Sequence, residues 1–320
     1  MKDKAAEKIY LNGITPVIVL DSSEHAVPLA SALMRSGIRV AEITYRTAAA
    51  RDSIKEIRRA LPDMLVGAGT ITSIDMAKDA INAGAQFIIS PGLDAELVEY
   101  CSREKILVIP GVATPSEAQQ AVKLGLTLVK VYPAEILGGT AFIKALSAVY
   151  NTLRFMPTGG INADNLMEYL DVPSVASCGG SWLCPLKLIE EGKFDEIEQI
   201  AKAAVLKMHD FKLLHVGMNS CNQEEAREKA EALSEMFELP MIDSSASYFA
   251  GTMFEILKNP LYGERGHIAV ETNYIDRAIA YFENRGYTFR DKPKDDLKKL
   301  IAIYFQEEIG GFAIHLRSRS

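Results

Sequence analysis

Eight short apolar runs alternate with amphipathic stretches between residues 14 and about 208 of this 320-residue chain. The runs are continuously hydrophobic, which is typical of parallel strands covered by helices. They are ITPVIVL, RVAEIT, LVGAGT, FIISPG, LVIPG, LVKVYPA, RFMPTGG and VASCGG. Eight β-α units in about 195 residues predict an α/β fold, a closed (β/α)8 TIM barrel of near-minimal size, with a doubly wound open sheet as the alternative.

Almost every run ends in residues that form turns or carry chemistry. In a barrel of this kind these ends converge on one face, where active sites are built. The ends include Glu42, Gly69–Thr70, Pro91, Gly159–Gly160 and Gly179–Gly180. We therefore expect a single site at that face.

Composition excludes several classes of partner. The formal net charge of −7 gives no basic footprint for nucleic acid or an anionic membrane, so we expect neither. No apolar run is long enough to span a bilayer, and the segment MKDKAAEKIYLNG predicts a charged amphipathic helix rather than a signal peptide. The four cysteines lack metal-ligand or redox spacing, which favours reduced thiols in a cytoplasmic protein.

Lys130 lies in the middle of the apolar run 128–132, where desolvation of an unpaired ammonium is costly. The structural alternative is a lysine that extends from the strand end into water. A buried free amine, by contrast, can attack a ketone and form a Schiff base. The protonated imine is an electron sink, so a C–C bond one carbon away can cleave.

Glu42 lies in the second run, and Arg46 follows it four residues later. A Glu42–Arg46 ion pair that closes the barrel is the structural alternative, because a carboxylate inside a strand is costly unless it is paired or used. In the functional interpretation, Glu42 carries protons during imine formation. Arg46 then clamps a substrate carboxylate with its planar donor face.

Two glycine pairs follow the seventh and eighth runs, in PTGGI and CGGSWL. Exposed backbone N–H groups, with the N-terminus of a following helix, form a cradle for phosphate. Barrels often bind phosphate in the loops after strands seven and eight. Together with Lys130, these pairs predict a class I aldolase that acts on a phosphorylated 2-keto acid and requires no cofactor.

Residues 5–205 resemble the family of 2-keto-3-deoxy-6-phosphogluconate (KDPG) aldolases, which often also cleave 4-hydroxy-2-oxoglutarate. The motifs EITYRT, VGAGT, AQFIISPG, KVYPAE, PTGGI and GGSWL occur in the family's order and spacing. The resemblance implies that Lys130 forms the Schiff base and that Glu42 is the acid/base. It further implies that Arg46 and Thr70 bind the substrate carboxylate, with Thr158 near the same end of the substrate. Pro91 and Tyr132 would form pocket walls. The phosphate would be bound by Gly159, Gly160, Gly180 and Ser181.

Three points stay open within this resemblance. The family usually has phenylalanine at the position of Tyr132, whose extra hydroxyl near the lysine leaves the range of substrates open. The aldolase for the epimeric galactonate substrate shares the same residues, so the stereochemistry at the aldol carbon is not fixed. A synthase-type phosphate barrel would use the late glycine pairs without the lysine. The family commonly forms trimers, which we expect here as well.

After residue 208 the alternation stops, and residues 212–320 contain a weak internal repeat. LHVGMN with its following helix matches GHIAVETN with its following helix, and the halves end in TMFEILK and GFAIHLRS. We predict two domains, a barrel over 1–208 and a smaller α+β domain of two paired βαβββ-type modules over 209–320. The charged run RDKPKDDLKK at 290–299 predicts a solvated loop or hairpin.

This repeat resembles the glyoxalase/bleomycin-resistance (vicinal-oxygen-chelate) fold, in whose metal-binding members the first and last strand of each module supply the ligands. The matching positions imply a divalent cation such as Zn²⁺, Ni²⁺ or Fe²⁺ held by His215, Glu255, His267 and His315. Metal-free alternatives are histidines bonded within the sheet, or a domain that binds a small ligand, covers the barrel or mediates assembly. A slip of one residue would turn a ligand to the other face.

Overall fold

The computed structural model describes residues 4–292 and 300–319. The chain divides into two compact units, Met1–Met208 and His209–Ser320. Most of the predicted charged loop, residues 293–299, lies outside the described residues. No helix in the described ranges combines the length and the apolar character needed to cross a bilayer.

The first unit contains eight parallel strands. They are β1 (Ile14–Ile18), β2 (Val40–Thr44), β3 (Leu65–Gly69), β4 (Phe87–Ser90), β5 (Leu107–Val112), β6 (Leu128–Val131), β7 (Arg154–Pro157) and β8 (Cys178–Gly180). Consecutive strands pair from β1 to β7, and β1 also pairs with β8. Parallel bridges at Phe155–Val175 and Thr158–Gly179 join the two remaining edges. The sheet is therefore a near-closed barrel, which confirms the prediction and rules out the open sheet.

Ten α-helices lie along the described part of the first unit. They are α1 (Lys4–Asn12), α2 (Ala26–Ser36), α3 (Ala50–Ala60), α4 (Ile74–Ala83), α5 (Ala95–Arg103), α6 (Pro115–Lys123), α7 (Gly139–Val149), α8 (Leu166–Leu170), α9 (Leu186–Glu190) and α10 (Phe194–His209). Side chains of Ser73, Asp94 and Thr114 accept hydrogen bonds from the first turns of α4, α5 and α6. Gly37 and Gly84 end α2 and α4 in the left-handed conformation that glycine adopts without strain.

The amino-terminal end of the barrel is filled with apolar side chains. Val40, Leu65, Phe87 and Leu128 begin their strands and pack in one buried cluster with Ile9 of α1. The first helix thus covers this end of the barrel. The opposite end, where the strands finish, is left for the polar residues.

The second unit is a separate mixed sheet with two helices in its described part. Its elements are β9 (Lys212–Met218), α11 (Gln223–Met236), β10 (Met241–Asp243), β11 (Ser247–Ala250), β12 (Phe254–Leu257), β13 (Gly266–Thr272), α12 (Ile275–Glu283), β14 (Ala302–Ile309) and β15 (Phe312–Ser318). The strand order is β10-β11-β12-β9-β13-β15-β14. In the described residues of the second module, a one-residue bridge, Phe289–Phe305, takes the place of a full strand beside β14.

The two halves of this sheet are arranged alike. β12 runs parallel to β9, β15 runs parallel to β13, and β9 and β13 meet antiparallel between them. Each helix packs in its own apolar cluster: one contains Ala230 of α11 and Ile256 of β12, and the other contains Ile279 of α12 and Leu316 of β15. The first and last strands of the two modules are therefore the four central strands.

Candidate functional site

Lys130 and Glu42 meet inside the barrel although their strands, β6 and β2, lie on opposite sides of it. The Nζ atom of Lys130 is 3.4 Å from Oε1 of Glu42. Lys130 is 6% exposed and Glu42 is fully buried. Lys130 therefore does not extend into water. Glu42 pairs with Lys130 and not with Arg46, so the structural alternative of a Glu42–Arg46 ion pair is not observed.

Strand β3 makes room for the Glu42 carboxylate. A β-carbon added to Gly69 would lie 2.6 Å from Cδ of Glu42, closer than side chains approach one another. Gly69 pairs with Thr44 in the sheet, two residues beyond Glu42 on β2. Gly69, the second glycine of VGAGT, thus allows the carboxylate to lie within the barrel.

Two buried oxygens near the ends of β2 and β7 have no hydrogen-bond partner within the described ranges. They are Oε2 of Glu42 and Oγ1 of Thr158. Buried polar atoms are nearly always satisfied in folded proteins. Each of these two oxygens is therefore a point at which a bound molecule could supply the missing partner.

Tyr132 lies outside β6, in the turn that follows, although the sequence placed it in the strand. Its side chain is 39% exposed, and the centre of its ring is 5.5 Å from Nζ of Lys130. A β-carbon on Gly159 would come within 3.5 Å of this ring. The Tyr132 ring is thus close both to Lys130 and to Gly159.

The side chains predicted to bind the carboxylate lie just beyond strands β2 and β3. Arg46 is exposed and forms no ion pair with any described residue. Thr70 is half-buried and has a φ of 60°, a left-handed conformation that is strained for a β-branched residue. Pro91 is exposed directly after β4. All three positions are on the face where the strands end.

The two glycine pairs lie side by side, because the Thr158–Gly179 bridge joins their strands. Gly159 and Gly160 have φ values of 94° and 87°, which only glycine adopts readily. Gly180 ends β8, and the exposed Ser181 follows it. The predicted contribution of a helix N-terminus is wrong, since the short α8 begins only at Leu166. The backbone amides of these loops remain as candidate donors to a phosphate.

Glu135 was not selected from the sequence, although it ends the motif KVYPAE. Its Oε1 accepts hydrogen bonds from the Tyr169 hydroxyl and from Nδ2 of Asn165, the latter at 3.3 Å. Asn165 also donates to the carbonyl of Gly160 at 3.0 Å. These partners are about thirty residues away along the chain, so no local pattern could have indicated the network.

Comparison with known proteins supplies the family. A protein-family model described as KDPG and KHG aldolase matches residues 6–200, more than half of the chain. The 2-dehydro-3-deoxy-phosphogluconate aldolase of Treponema pallidum is 43% identical over 189 residues, which are 59% of this chain and 90% of that protein. The KHG/KDPG aldolase of Escherichia coli is 42% identical over 202 residues, or 63% of this chain and 95% of that protein.

A solved structure is similar over the same region. The KDPG aldolase from Legionella pneumophila, with pyruvate captured at low pH as a covalent carbinolamine, has a TM-score of 0.62 and 38% identity, and covers 64% of this chain and 99% of its own. The chain belongs to the KDPG and KHG aldolase family. It is accordingly an aldehyde-lyase, a class I aldolase.

The family match of this aldolase ends at residue 200, and a second polar cluster lies in the following unit. His215, His267 and His315 are buried, and one nitrogen of each lies within 4.8 Å of the others. Oε2 of Glu255 is 3.0 Å from Nε2 of His215 and 3.1 Å from Nε2 of His267. All four predicted ligand positions of the aldolase therefore come together on the central strands.

The register explains this convergence. His215 and His315 both pair with Ala269, and His267 pairs with Gly217 and Ala313. The imidazole of His267 occupies the space where a side chain on Gly217 would lie. The slip of one residue that would have turned a ligand away is therefore not observed.

The donor set fits a divalent cation. Both ring nitrogens of His315 and Nδ1 of His267 lack a hydrogen-bond partner within the described residues, although both rings are buried. Burial, followed by the neighbouring His267 and His215, lowers the pKa of His315 to about 3, so its ring is the neutral form that binds metal. Ligation of one cation would satisfy one nitrogen of each ring, and so one of the two unpartnered nitrogens of His315.

The carboxylate of Glu255 is held in its charged form. Burial alone would raise the pKa of Glu255, but hydrogen bonds with His215, His267 and Ser247 outweigh burial and lower it. Ser247 donates to Oε1 at 2.8 Å, which leaves Oε2 facing the histidines. A neighbouring ring also contacts the cluster: Tyr304 stacks on His315 with ring centroids 4.6 Å apart.

Proposed function

We propose that the barrel cleaves KDPG to pyruvate and glyceraldehyde 3-phosphate through an imine on Lys130. The observation that carries this proposal is the buried pair in which Nζ of Lys130 lies 3.4 Å from Oε1 of Glu42. Membership of the KDPG and KHG aldolase family supports it. The same chemistry cleaves 4-hydroxy-2-oxoglutarate to pyruvate and glyoxylate, because both substrates are 2-oxo acids with a hydroxyl group on C4.

Imine formation begins when Lys130 gives a proton to Glu42. The free amine attacks the C2 carbonyl, and a proton moves from nitrogen to oxygen to give a neutral carbinolamine. Glu42, now a carboxylic acid, returns its proton to the C2 hydroxyl, which leaves as water. A protonated imine and the Glu42 carboxylate remain.

Cleavage uses the same carboxylate. Glu42 takes the proton of the C4 hydroxyl, and the electrons of the C3–C4 bond move toward the imine nitrogen. This step releases the aldehyde and leaves an enamine on Lys130. Glu42 then protonates C3 of the enamine, and water hydrolyses the resulting protonated imine to pyruvate and the Lys130 ammonium, which restores the starting state.

The groups around this pair suit an elongated substrate with an anionic group at each end, a carboxylate and a phosphate. Arg46 and Thr70 would bind the carboxylate, with Thr158 close to the same end. Pro91 and Tyr132 would form the walls. The phosphate would be bound at the other end of the substrate by Gly159, Gly160, Gly180 and Ser181.

Release of pyruvate, coupled to lactate dehydrogenase, tests this proposal. KDPG, its galactonate epimer and 4-hydroxy-2-oxoglutarate are compared with the wild type and with Lys130→Met, which retains the stem but has no amine. We expect cleavage of at least KDPG by the wild type and none by the variant. Absence of cleavage of all three substrates by folded wild type would contradict the proposal and favour a synthase-type phosphate barrel.

We further propose that the second unit is a glyoxalase-like domain that binds one divalent cation. His215, His267 and His315 would each donate a ring nitrogen and Glu255 a carboxylate oxygen. A cation at this position would supply Lewis acidity to a bound oxygen atom. The orphaned nitrogens of buried His315 are the observation that favours this second function.

Metal content of the purified full chain tests this second proposal. After incubation with Zn²⁺, Ni²⁺ or Fe²⁺ and removal of excess ion, we expect about one equivalent of cation by mass spectrometry. His315→Ala should reduce the content to background without altering cleavage by the barrel. Background metal content in the wild type with all three cations would contradict the proposal.

A further inference from the structure

Three successive carbonyls of the loop after β7 are each held by a hydrogen bond. The amide of Ala134 donates to Thr158 at 2.8 Å, and the amide of Glu135 donates to Gly159 at 3.1 Å. The third carbonyl, that of Gly160, accepts from Nδ2 of Asn165. In a trans peptide the N–H points opposite to the C=O. The amides of Gly159, Gly160 and Ile161 are therefore directed away from the groups that hold the carbonyls.

Glu135 contacts this loop in three ways. Its backbone amide binds the carbonyl of Gly159, and its side chain fills the space beside Gly160, where an added β-carbon would lie 2.5 Å from Cβ of Glu135. Its Oε1 accepts from Asn165, so the two hydrogens of the Asn165 amide are shared between Glu135 and the Gly160 carbonyl. Asn165 is thereby fixed in orientation.

A buried residue anchors the carboxylate. The hydroxyl of Tyr169 donates to Oε1 of Glu135, and Tyr169 is only 1% exposed. Burial and the neighbouring Glu135 raise the pKa of Tyr169, so the hydroxyl keeps its proton. A carboxylate repels a phosphate dianion, so Glu135 is unsuited to bind phosphate itself. Its contacts suit it to orient the amides that do.

We propose that Glu135, acting through Asn165 and Tyr169, is a positioning residue for the substrate phosphate. This inference rests on the proposed function, in which the Gly159–Gly160 loop binds that group. Glu135 sets the direction of the loop amides and so determines the affinity for phosphorylated substrates. It takes no part in imine formation, for which the reacting atoms belong to Lys130 and Glu42.

The test compares a phosphorylated and a phosphate-free ligand in the full chain. For Glu135→Ala we expect the KM for KDPG to rise about tenfold, as expected for loss of a hydrogen bond of this class. The pyruvate concentration that gives half-maximal borohydride trapping on Lys130 should change by less than about twofold, because pyruvate carries no phosphate. Glu135→Gln keeps the oxygen acceptor, so its KM should stay near that of the wild type.

Glu168→Ala is the matched control, since it removes an exposed carboxylate beside Tyr169 and should behave as the wild type. An unchanged KM in Glu135→Ala, or an equal loss for KDPG and pyruvate, would overturn the inference. So would a marked fall of KM in Glu135→Gln, which would show a repulsive charge instead of a positioning group. Failure of the proposed function is distinguishable, because the wild type would then neither cleave KDPG nor trap pyruvate.

Discussion

Gly69 and Glu42 lie so close together that a single β-carbon on Gly69 would displace the Glu42 carboxylate, whose Cδ is 2.6 Å from that position. Glycine on β3 and the acid on β2 therefore form one structural unit. The carboxylate lies within hydrogen-bond distance of Lys130, so in the proposed mechanism its position would control proton transfer from the amine. The consequences can be measured at several sites.

Gly69→Ala should lower kcat for pyruvate release by about 10–100-fold, because a shift of about 1 Å in a catalytic group has effects of this size. Overpacking should also cost about 1–3 kcal/mol in the free energy of unfolding. Denaturant titration separates the two effects. A variant with reduced stability but normal kcat would show that Glu42 does not require this space.

Arg46→Ala should weaken carboxylate binding with little loss of stability, since Arg46 is exposed and forms no ion pair within the described ranges. A charge-assisted hydrogen bond contributes about 1.5–3 kcal/mol. The pyruvate concentration that gives half-maximal borohydride trapping should therefore rise about 10–100-fold. A ketone without a carboxylate is the control ligand, and its trapping should be unaffected. Equal losses for both ligands would exclude the proposed clamp.

Ser247→Ala should weaken cation binding in the second unit. Ser247 holds Oε1 of Glu255, and loss of such a supporting hydrogen bond typically reduces metal affinity about 10–100-fold. Competition with a chromophoric chelator measures the affinity. Pyruvate trapping in the barrel serves as the internal control. Unchanged metal affinity would mean that Ser247 does not orient the ligand.

His209→Phe should change how stability depends on pH. Burial, followed by Arg277 and Arg285, lowers the pKa of His209 from 6.5 to about 3. Above pH 6.5 the ring is neutral in both folded and unfolded chains. As pH falls from about 6.5 toward 3, the unfolded chain gains a proton that the folded chain does not, so stability is lost.

Phenylalanine removes this titration, and it can stack as His209 does on Phe211, at 5.0 Å between centroids. We expect unfolding of His209→Phe, followed by denaturant, to lose less free energy than the wild type between pH 6.5 and pH 4. Other groups titrate in both proteins, so the difference between the two curves isolates His209. Parallel curves would contradict the assignment.

The sequence predicted the strands and their order better than it predicted the loops. Continuous apolar runs identify parallel strands, and barrel closure then brings Lys130 and Glu42 to the same interior. The helix expected directly after Gly160 is not there, because five non-helical residues, 161–165, precede Leu166. The left-handed φ of Thr70 could not be predicted, since a β-branched residue does not favour it.

Contacts between distant residues account for most of what sequence did not indicate. Glu135 and Tyr169 are 34 positions apart, and only the folded loop brings them together. The four candidate ligand positions of the second unit were implied by the resemblance to the vicinal-oxygen-chelate fold, whereas their common face depends on the pairing of β9 with β13. Register is a property of the whole sheet, so four matching residue types alone did not determine it.

Borohydride reduction in the presence of pyruvate tests the central claim most directly. Intact-mass and peptide mass spectrometry would locate the reduced adduct. We predict one pyruvyl adduct per chain, on Lys130, and none in Lys130→Met. Folded wild-type protein with no adduct, or with an adduct on another lysine, would contradict the proposal that the amine facing Glu42 is the nucleophile.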